Sequence, residues 1–205
     1  MKVYFDLIKK YHDEISEEKL ITYYKLFDIY KRINFRINLI SRKDFENFYL
    51  HHILHSLSIL KFNLLPEKDS KIIDLGTGGG IPGIPLSIFY EKNNFILVDS
   101  IGKKIKAVDE IIKEIKLENV RTINNRIENL ELNADIIICR SVSSIKNILN
   151  WSKKSLKKDG KVILFKGGDV EKELININKR FTIYNIDNIY SNEYFQNKKI
   201  IKIES

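Results

Sequence analysis

Between Lys71 and Leu86 the chain reads Lys-Ile-Ile-Asp-Leu-Gly-Thr-Gly-Gly-Gly-Ile-Pro-Gly-Ile-Pro-Leu: a short apolar run, a cluster of glycines, and the start of a helix. At the carboxyl end of a strand, Gly76, Gly78 and Gly80 permit positive φ and let a ligand approach the backbone with no Cβ in the way. The next apolar run ends at Asp99, a carboxylate able to accept hydrogen bonds from both hydroxyls of a ribose. Together these residues suit a nucleotide-like ligand.

The elements that must hold them follow from periodicity. Up to about residue 65 the pattern is helical, with apolar residues at Val3, Leu7, Ile8 and Tyr11, then at Leu20, Tyr24, Phe27, Ile29 and Ile33. A further helix is expected over Phe45 to Phe62, stopping before Pro66. The polar stretch Glu67-Lys68-Asp69-Ser70 is the junction. Residues 1–65 are thus expected to form a helical cap and residues 70–205 an α/β domain. In the latter, the runs at Ile72-Ile73, Phe95 to Val98, Ile136 to Ile138 and Val162 to Phe165 have few polar interruptions, as strands buried on both faces do. Helices are expected at Pro82 to Tyr90, Lys103 to Ile115, Ile145 to Leu156 and Val170 to Arg180, and last strands at Phe181 to Ile186 and Lys199 to Ile203. This alternation argues for a parallel sheet with helices on both faces.

Which ligand the glycine turn takes stays open on these residues. Gly78, Gly80 and Gly83 also satisfy the G-x-G-x-x-G spacing of a dinucleotide site. A pyrophosphate uses free backbone N–H groups at the helix start, and Pro82 and Pro85 remove two of them. S-adenosylmethionine carries no phosphate, and Asp74 opens the D-x-G-x-G signature of methyltransferases, where it is expected near the ligand's amino-acid end. No Gly-Lys-Ser or Gly-Lys-Thr occurs, which excludes a P-loop.

From about Lys31 to Lys172 the chain resembles the small-subunit ribosomal RNA guanine-N7 methyltransferases, the RsmG or GidB family. The resemblance is carried by Asn38-Leu39-Ile40-Ser41, His52-Ile53-Leu54, the run Asp74 to Leu86, Asp99 to Lys104, Leu117-Glu118-Asn119, Arg126-Ile127-Glu128, Arg140 and Lys166-Gly167. It departs from the family at His55, where Asp is common, at Cys139 and Ser141 beside the arginine, and at Ile33-Asn34, where Trp-Asn is usual. The resemblance implies a Rossmann-like class I methyltransferase fold with a seven-stranded, mostly parallel sheet. It also implies S-adenosyl-L-methionine as cofactor, and N7 of one guanosine in the decoding-region loop of 16S ribosomal RNA as target, in free RNA or in the small ribosomal subunit. By resemblance Gly76 and Ile81 contact the cofactor, Asp99 its ribose, Ile127 and Glu128 its adenine end, and Arg140 its methionine side or the target base. An NAD-dependent oxidoreductase and a non-enzymatic RNA-binding module are the alternatives.

Guanine N7 carries an in-plane lone pair, so attack on a sulfonium methyl needs no base, and positioning is the expected mechanism. Arg140 and Lys166 close the strands expected at Ile136 to Ile138 and Val162 to Phe165, at the sheet edge where substrate should enter, and are expected to anchor substrate or cofactor. Arg126 is expected to grip RNA phosphate or to pair with Glu128.

Other residues are weighed against plainer roles. Cys139 follows Ile136-Ile137-Ile138 and is expected to complete a core strand rather than act as a nucleophile. His51 and His55 have the spacing of two metal ligands but no H-E-x-x-H pattern and no third ligand, so no metal is expected. Aromatic residues in the first helices, among them Tyr4, Phe5, Tyr23, Tyr30 and Phe35, alternate with Lys9, Lys10, Lys25, Lys31, Arg32 and Arg36, and are expected mainly as core.

The net charge of +8 suits a polyanionic partner. Lys103, Lys104 and Lys106, with Lys153, Lys154, Lys157 and Lys158, form a candidate basic rim. One cysteine in 205 residues excludes an internal disulfide framework. With no secretory signal pattern and no run long enough to span a membrane, a cytoplasmic monomer is expected.

Overall fold

In the computed structural model the chain is described over residues 2–205, with the backbone alone for residues 2–6. The expectations for the side chains of Val3, Tyr4 and Phe5 lie outside the described residues. Two helices, α1 (Lys2–Tyr11) and α2 (Glu17–Arg36), open the fold. Ser16 caps α2 by accepting from the Lys19 N–H, and Glu17 and Glu18 sit in its positively polarised first turn. An irregular helical segment follows from Arg42 to Phe62, with α3 (His55–Leu57) as its only α-helical piece. The single helix expected over Phe45 to Phe62 is corrected. A 3₁₀ turn covers Arg42–Asn47, a π-helical stretch covers Phe48–Leu54, and a second 3₁₀ turn reaches Phe62, where Asn63 adopts φ 50°. Turns of the π type are rare and frequently mark functional sites, and here Asp44 accepts from His51 Nδ1 and lies beside the His52 ring.

The remainder alternates β1 (Lys71–Leu75), α4 (Gly83–Phe89), β2 (Asn94–Asp99), α5 (Gly102–Glu114), β3 (Val120–Asn124), β4 (Ala134–Arg140), α6 (Ile145–Ser152), β5 (Leu156–Gly167), α7 (Glu171–Leu174), β6 (Phe181–Asn185) and β7 (Lys198–Glu204). The strands form one seven-stranded sheet in the order β3-β2-β1-β4-β5-β7-β6. All pairings are parallel except those of β7, which runs antiparallel to β5 and β6.

Side chains alternate faces with the two-residue period of a strand. Ile72, Phe95, Leu97, Ile136, Ile138, Ile163 and Phe165 enter one apolar core; Ile73, Ile96, Val98, Ile137, Cys139, Val162 and Leu164 enter the other. The first core also takes Ile8, Tyr23, Tyr30 and Phe48 with residues of α4 and α5, so the N-terminal helices and one face of the sheet share a single interior. The second is covered by α6 and α7. Each fully buried isoleucine or leucine contributes roughly 1.5–3 kcal/mol.

The expected core role of the cap aromatics holds for Tyr23 and Tyr30, both fully buried, while Phe35 is 84% exposed. Lys9, Lys10, Lys25, Lys31, Arg32 and Arg36 all face solvent. Arg36 pairs with Glu110 at 2.8 Å, and Arg32 with Glu114, joining α2 to α5 at the surface.

Three further boundaries differ from expectation. The segment Val170 to Arg180 is helical only over Glu171–Leu174, because β-branched and Asn residues dominate from Ile175 to Asn178 and favour helix weakly. The helix from Ile145 ends at Ser152, and Leu156 already begins β5. β3 has no continuous apolar run; it is an outer strand and only partly buried.

Candidate functional site

The order of strands reverses between β1 and β4, since the chain builds outward from β1 through β2 to β3 and then returns to its other side. Ligands of open α/β sheets bind outside the carboxyl ends of the strands at such a reversal. Here Leu75 and Cys139 are register partners, so Gly76 and Arg140 flank the crevice. A cavity of about 610 Å³ opens there, within the usual range for a small-molecule site.

The glycine turn is built by hydrogen bonds that leave its upper surface bare. Gly76 and Thr77 donate their N–H groups to Val98 O at 2.9 and 3.0 Å. Gly78 donates to Asp99 Oδ2 at 2.9 Å, and Ile101 to Asp99 Oδ1 at 2.8 Å. The Asp99 carboxylate is thereby fixed at the cavity wall with lone pairs to spare. Gly76 has φ +68°, and a Cβ on it would lie 2.5 Å from Val142 Cγ2. Gly78, at φ +57°, would place a Cβ in nearly open space.

Asp74 lies beneath the turn, fully buried. Its Oδ2 accepts from Thr77 Oγ1 at 2.6 Å and from the Gly83 N–H at 2.9 Å, while Oδ1 is buried with no partner. Burial pushes its carboxyl up to about 6, against the pull of these donors and of Arg140.

The start of α4 has no free donor for a pyrophosphate. Pro82 and Pro85 lack N–H groups, Gly83 N–H is taken by Asp74, and the N–H groups of Ile84 and Leu86 go to Gly80 O and Pro82 O. The dinucleotide reading of the same glycines loses its anion site.

The cap supplies the opposite wall. Tyr30 Oη donates to Gly79 O at 2.7 Å and Tyr23 Oη to Pro85 O at 2.8 Å. Asn34 accepts from the N–H groups of Leu39 and Ile40 at 2.7 and 3.0 Å and donates to Ile40 O at 2.8 Å, clamping a loop whose Leu39, Ile40 and Ser41 line the cavity.

Of the residues expected from sequence, Gly76, Gly78, Ile81, Asp99, Arg126, Ile127, Glu128 and Arg140 all line this one cavity. Ile127 is 4% exposed, whereas Arg126 faces solvent with Nη1 3.8 Å from Glu128 Oε1. Asp74 and Gly80 support the turn from below and are not part of the wall. Gly80 takes φ +84°, and a Cβ there would lie 2.5 Å from Ile84 Cδ1.

Lys166 is also outside the wall. Its Nζ donates to Ser143 O at 2.9 Å and to both Glu173 oxygens at 2.9 and 3.0 Å. Glu173 Oε2 in turn accepts from the Ile145 N–H at 2.7 Å, so this pair ties down the loop that carries Val142. The basic rim is divided as well: Lys104 lines the cavity, whereas Lys157 pairs with Asp135 at 2.6 Å and, with Lys158, lines a separate surface hollow beside the first residues of β5.

Sequence reasoning missed Trp151 and Tyr194, which also line the cavity. Trp151 is the only tryptophan, and Tyr194 lies in an irregular connection between β6 and β7 where no periodicity marks it. Burial raises the Cys139 thiol to about 12, consistent with a core residue and not a nucleophile. Among the described residues, no cluster of three or more His, Cys, Asp or Glu side chains could hold a metal, and no helix is long and apolar enough to cross a membrane.

The chain is similar to solved methyltransferases of low sequence identity. An Aquifex aeolicus SAM-dependent methyltransferase superposes with a TM-score of 0.56 at 16% identity, covering 73% of this chain and 88% of that one. A precorrin-6y C5,15-methyltransferase from Geobacter metallireducens gives 0.54 at 12% identity, covering 74% and 87%. These show the fold. Relatives nearer in sequence carry the name ribosomal RNA small subunit methyltransferase G. That of Christiangramia forsetii is 40% identical over 96% of this chain and 95% of its own length. That of Phocaeicola vulgatus is 38% identical over 97% of each. The model of the GidB family, rRNA small subunit methyltransferase G, matches residues 16–201, and with that span of agreement above this cavity the chain belongs to the GidB family.

Proposed function

We propose that this protein transfers a methyl group from S-adenosylmethionine to N7 of one guanosine in the decoding-region loop of 16S ribosomal RNA, acting as a cytoplasmic monomer on the RNA or on the small ribosomal subunit. The observation that carries it is the glycine turn and Asp99 at the sheet's reversal point, in a chain of the GidB family.

The residues present fit the cofactor. Asp99 offers lone pairs for a ribose diol, and the missing Cβ of Gly78 leaves room above the turn. Ile127 beside Glu128 gives an apolar face and a carboxylate for an adenine. The buried carboxylate of Asp74, with Oδ1 left without a partner, puts negative charge beneath the turn, which favours a cationic ligand above it. A sulfonium cofactor bound there supplies an electrophilic methyl group.

What the protein adds is alignment. N7 needs no deprotonation, so the chain has no acid–base pair to provide, and holding the guanine in line recovers up to roughly 7–11 kcal/mol of the barrier. Arg140 is the cation at the crevice edge. Because the methylated ring is itself cationic, Arg140 serves by gripping O6, a phosphate or the cofactor carboxylate. Arg126, exposed on the rim, is placed to meet RNA phosphate. Lys166 is satisfied by Glu173 and Ser143, so its part is to fix the loop over Gly76 and not to touch RNA.

The test is incubation with methyl-labelled S-adenosylmethionine and either 16S RNA or small subunits from cells lacking the modification, followed by mapping of the labelled nucleotide. Label at one guanine N7 is expected. RNA binding without transfer would favour a non-enzymatic RNA-binding module, and tight NAD binding an oxidoreductase.

A further inference from the structure

We infer that His52 and Asp44 are positioning residues that aim the Arg140 guanidinium into the cavity without neutralising its charge. The inference rests on the reading of Arg140 as a ligand anchor.

Arginine can only donate hydrogen bonds. Arg140 Nη1 donates to His51 O at 3.1 Å, and Nη2 to His52 Nδ1 at 3.1 Å. Nδ1 must therefore be the bare nitrogen of the ring, which fixes His52 as the tautomer with its proton on Nε2. Nε2 lies 3.1 Å from Asp44 Oδ2 without hydrogen-bond geometry, whereas His51 Nδ1 donates to the other Asp44 oxygen at 2.5 Å. One carboxylate thus holds His51 and lies beside the His52 ring, and each histidine presents an acceptor to Arg140. The His51 ring is stacked on Tyr194, with centroids 3.6 Å apart, and Tyr194 Oη contacts His51 O at 3.3 Å. The fork is braced from both sides.

Among the described residues, Arg140 has no carboxylate within ion-pair distance. Both of its partners are neutral acceptors, since burial and Arg140 itself hold the His52 imidazole down to about 4. A carboxylate in direct contact would orient the guanidinium equally well but would compensate its charge. Neutral acceptors on His51 and His52 separate orientation from neutralisation, and the remaining N–H groups and the positive charge stay available to an anionic or carbonyl group of the ligand.

A double-mutant cycle with the full chain tests this, reading kcat/KM for methyl transfer and thermal melting for each variant. His52→Leu is expected to lower kcat/KM by about tenfold to a hundredfold, the size of one hydrogen bond to a charged group. His52→Asn, whose Oδ1 can accept in place of Nδ1, should recover most of that loss. Asp44→Ala should cost severalfold. The deciding result is non-additivity: in an Arg140→Ala background His52→Leu should cost nothing further. If the two losses multiply, or if His52→Leu behaves as wild type, the positioning role is wrong. If Arg140→Ala alone is without effect, the anchor reading falls and this inference with it. Should His52→Leu fail to fold, the same cycle run with His52→Asn and Asp44→Ala decides, with coupling to Arg140→Ala again the supporting result and independence the refuting one.

Discussion

Replacing Asp74 by Asn should make the protein more stable and a weaker binder of its cofactor. The carboxyl is fully buried, keeps one oxygen without a partner, and is raised from 3.8 to about 6 by burial. A raised carboxyl means that the folded state holds the proton more tightly than the unfolded chain. Stability from this group is therefore full below about pH 4, falls as pH rises through the window up to 6, and stays low above it. A shift of about 2 pH units at about 1.4 kcal/mol each makes the penalty at pH 7.5 about 3 kcal/mol.

In Asp74→Asn the amide oxygen can still accept from Thr77 Oγ1 and Gly83 N–H, and no charge is buried. Denaturant unfolding at pH 7.5 should show the variant more stable by about 3 kcal/mol, or by about 6–12 °C in Tm for a domain of this size. At pH 4.5 the gap should narrow to about 1 kcal/mol. Calorimetric titration with S-adenosylmethionine should show affinity lower by at least about tenfold, since a neutral amide lacks the charge that would meet an ammonium group. A variant less stable than wild type at pH 7.5, or a gap that does not change with pH, would refute the linkage.

Asp99→Ala removes the acceptor for Gly78 and Ile101 as well as the ribose partner, and should weaken S-adenosylmethionine binding by about 1.5–3 kcal/mol or more in calorimetry. Arg126→Ala should raise the RNA KM and reduce the slope of log affinity against log salt by about 1; equal slopes would remove Arg126 from the RNA contact. Gly80→Ala should lower stability by about 1–2 kcal/mol from backbone strain at φ +84°, plus the displacement of Ile84, measured by thermal melting. Cys139 should resist alkylation at pH 8 in the folded protein and react only on unfolding, because burial keeps its thiol protonated.

The sheet could be read from sequence where its physics is local. Ile72-Ile73, Phe95 to Val98, Ile136 to Cys139 and Val162 to Phe165 are buried on both faces, so continuous apolar runs mark them. The Asp74 to Leu86 run identified the turn because positive φ at several nearby positions restricts the residues that can stand there. β3 escaped because an outer strand needs no such run, and the Arg42 to Phe62 segment was misjudged because apolar spacing does not separate the 3₁₀ and π turns it forms from an α-helix. The cavity residues on β1, β2 and β4 were legible as motifs. Lys166 was placed by its strand position at the substrate edge, yet Glu173, brought near by a helix far shorter than expected, takes its charge. Tyr194 depends on a connection folding back across the sheet, a long-range event with no local signature.

β7 lies between β5 and β6 although it follows both in the chain. Until Lys198–Glu204 leaves the ribosome, β5 has an open edge and β6 has no place in the sheet. Translation therefore delivers the glycine turn, Asp99 and Arg140 well before their sheet can close, and the segment carrying Tyr194 cannot settle until the residues after it have paired. A chain cut short before Lys198 would lose the centre of one half of its sheet and expose an open strand edge, the kind of surface that invites aggregation.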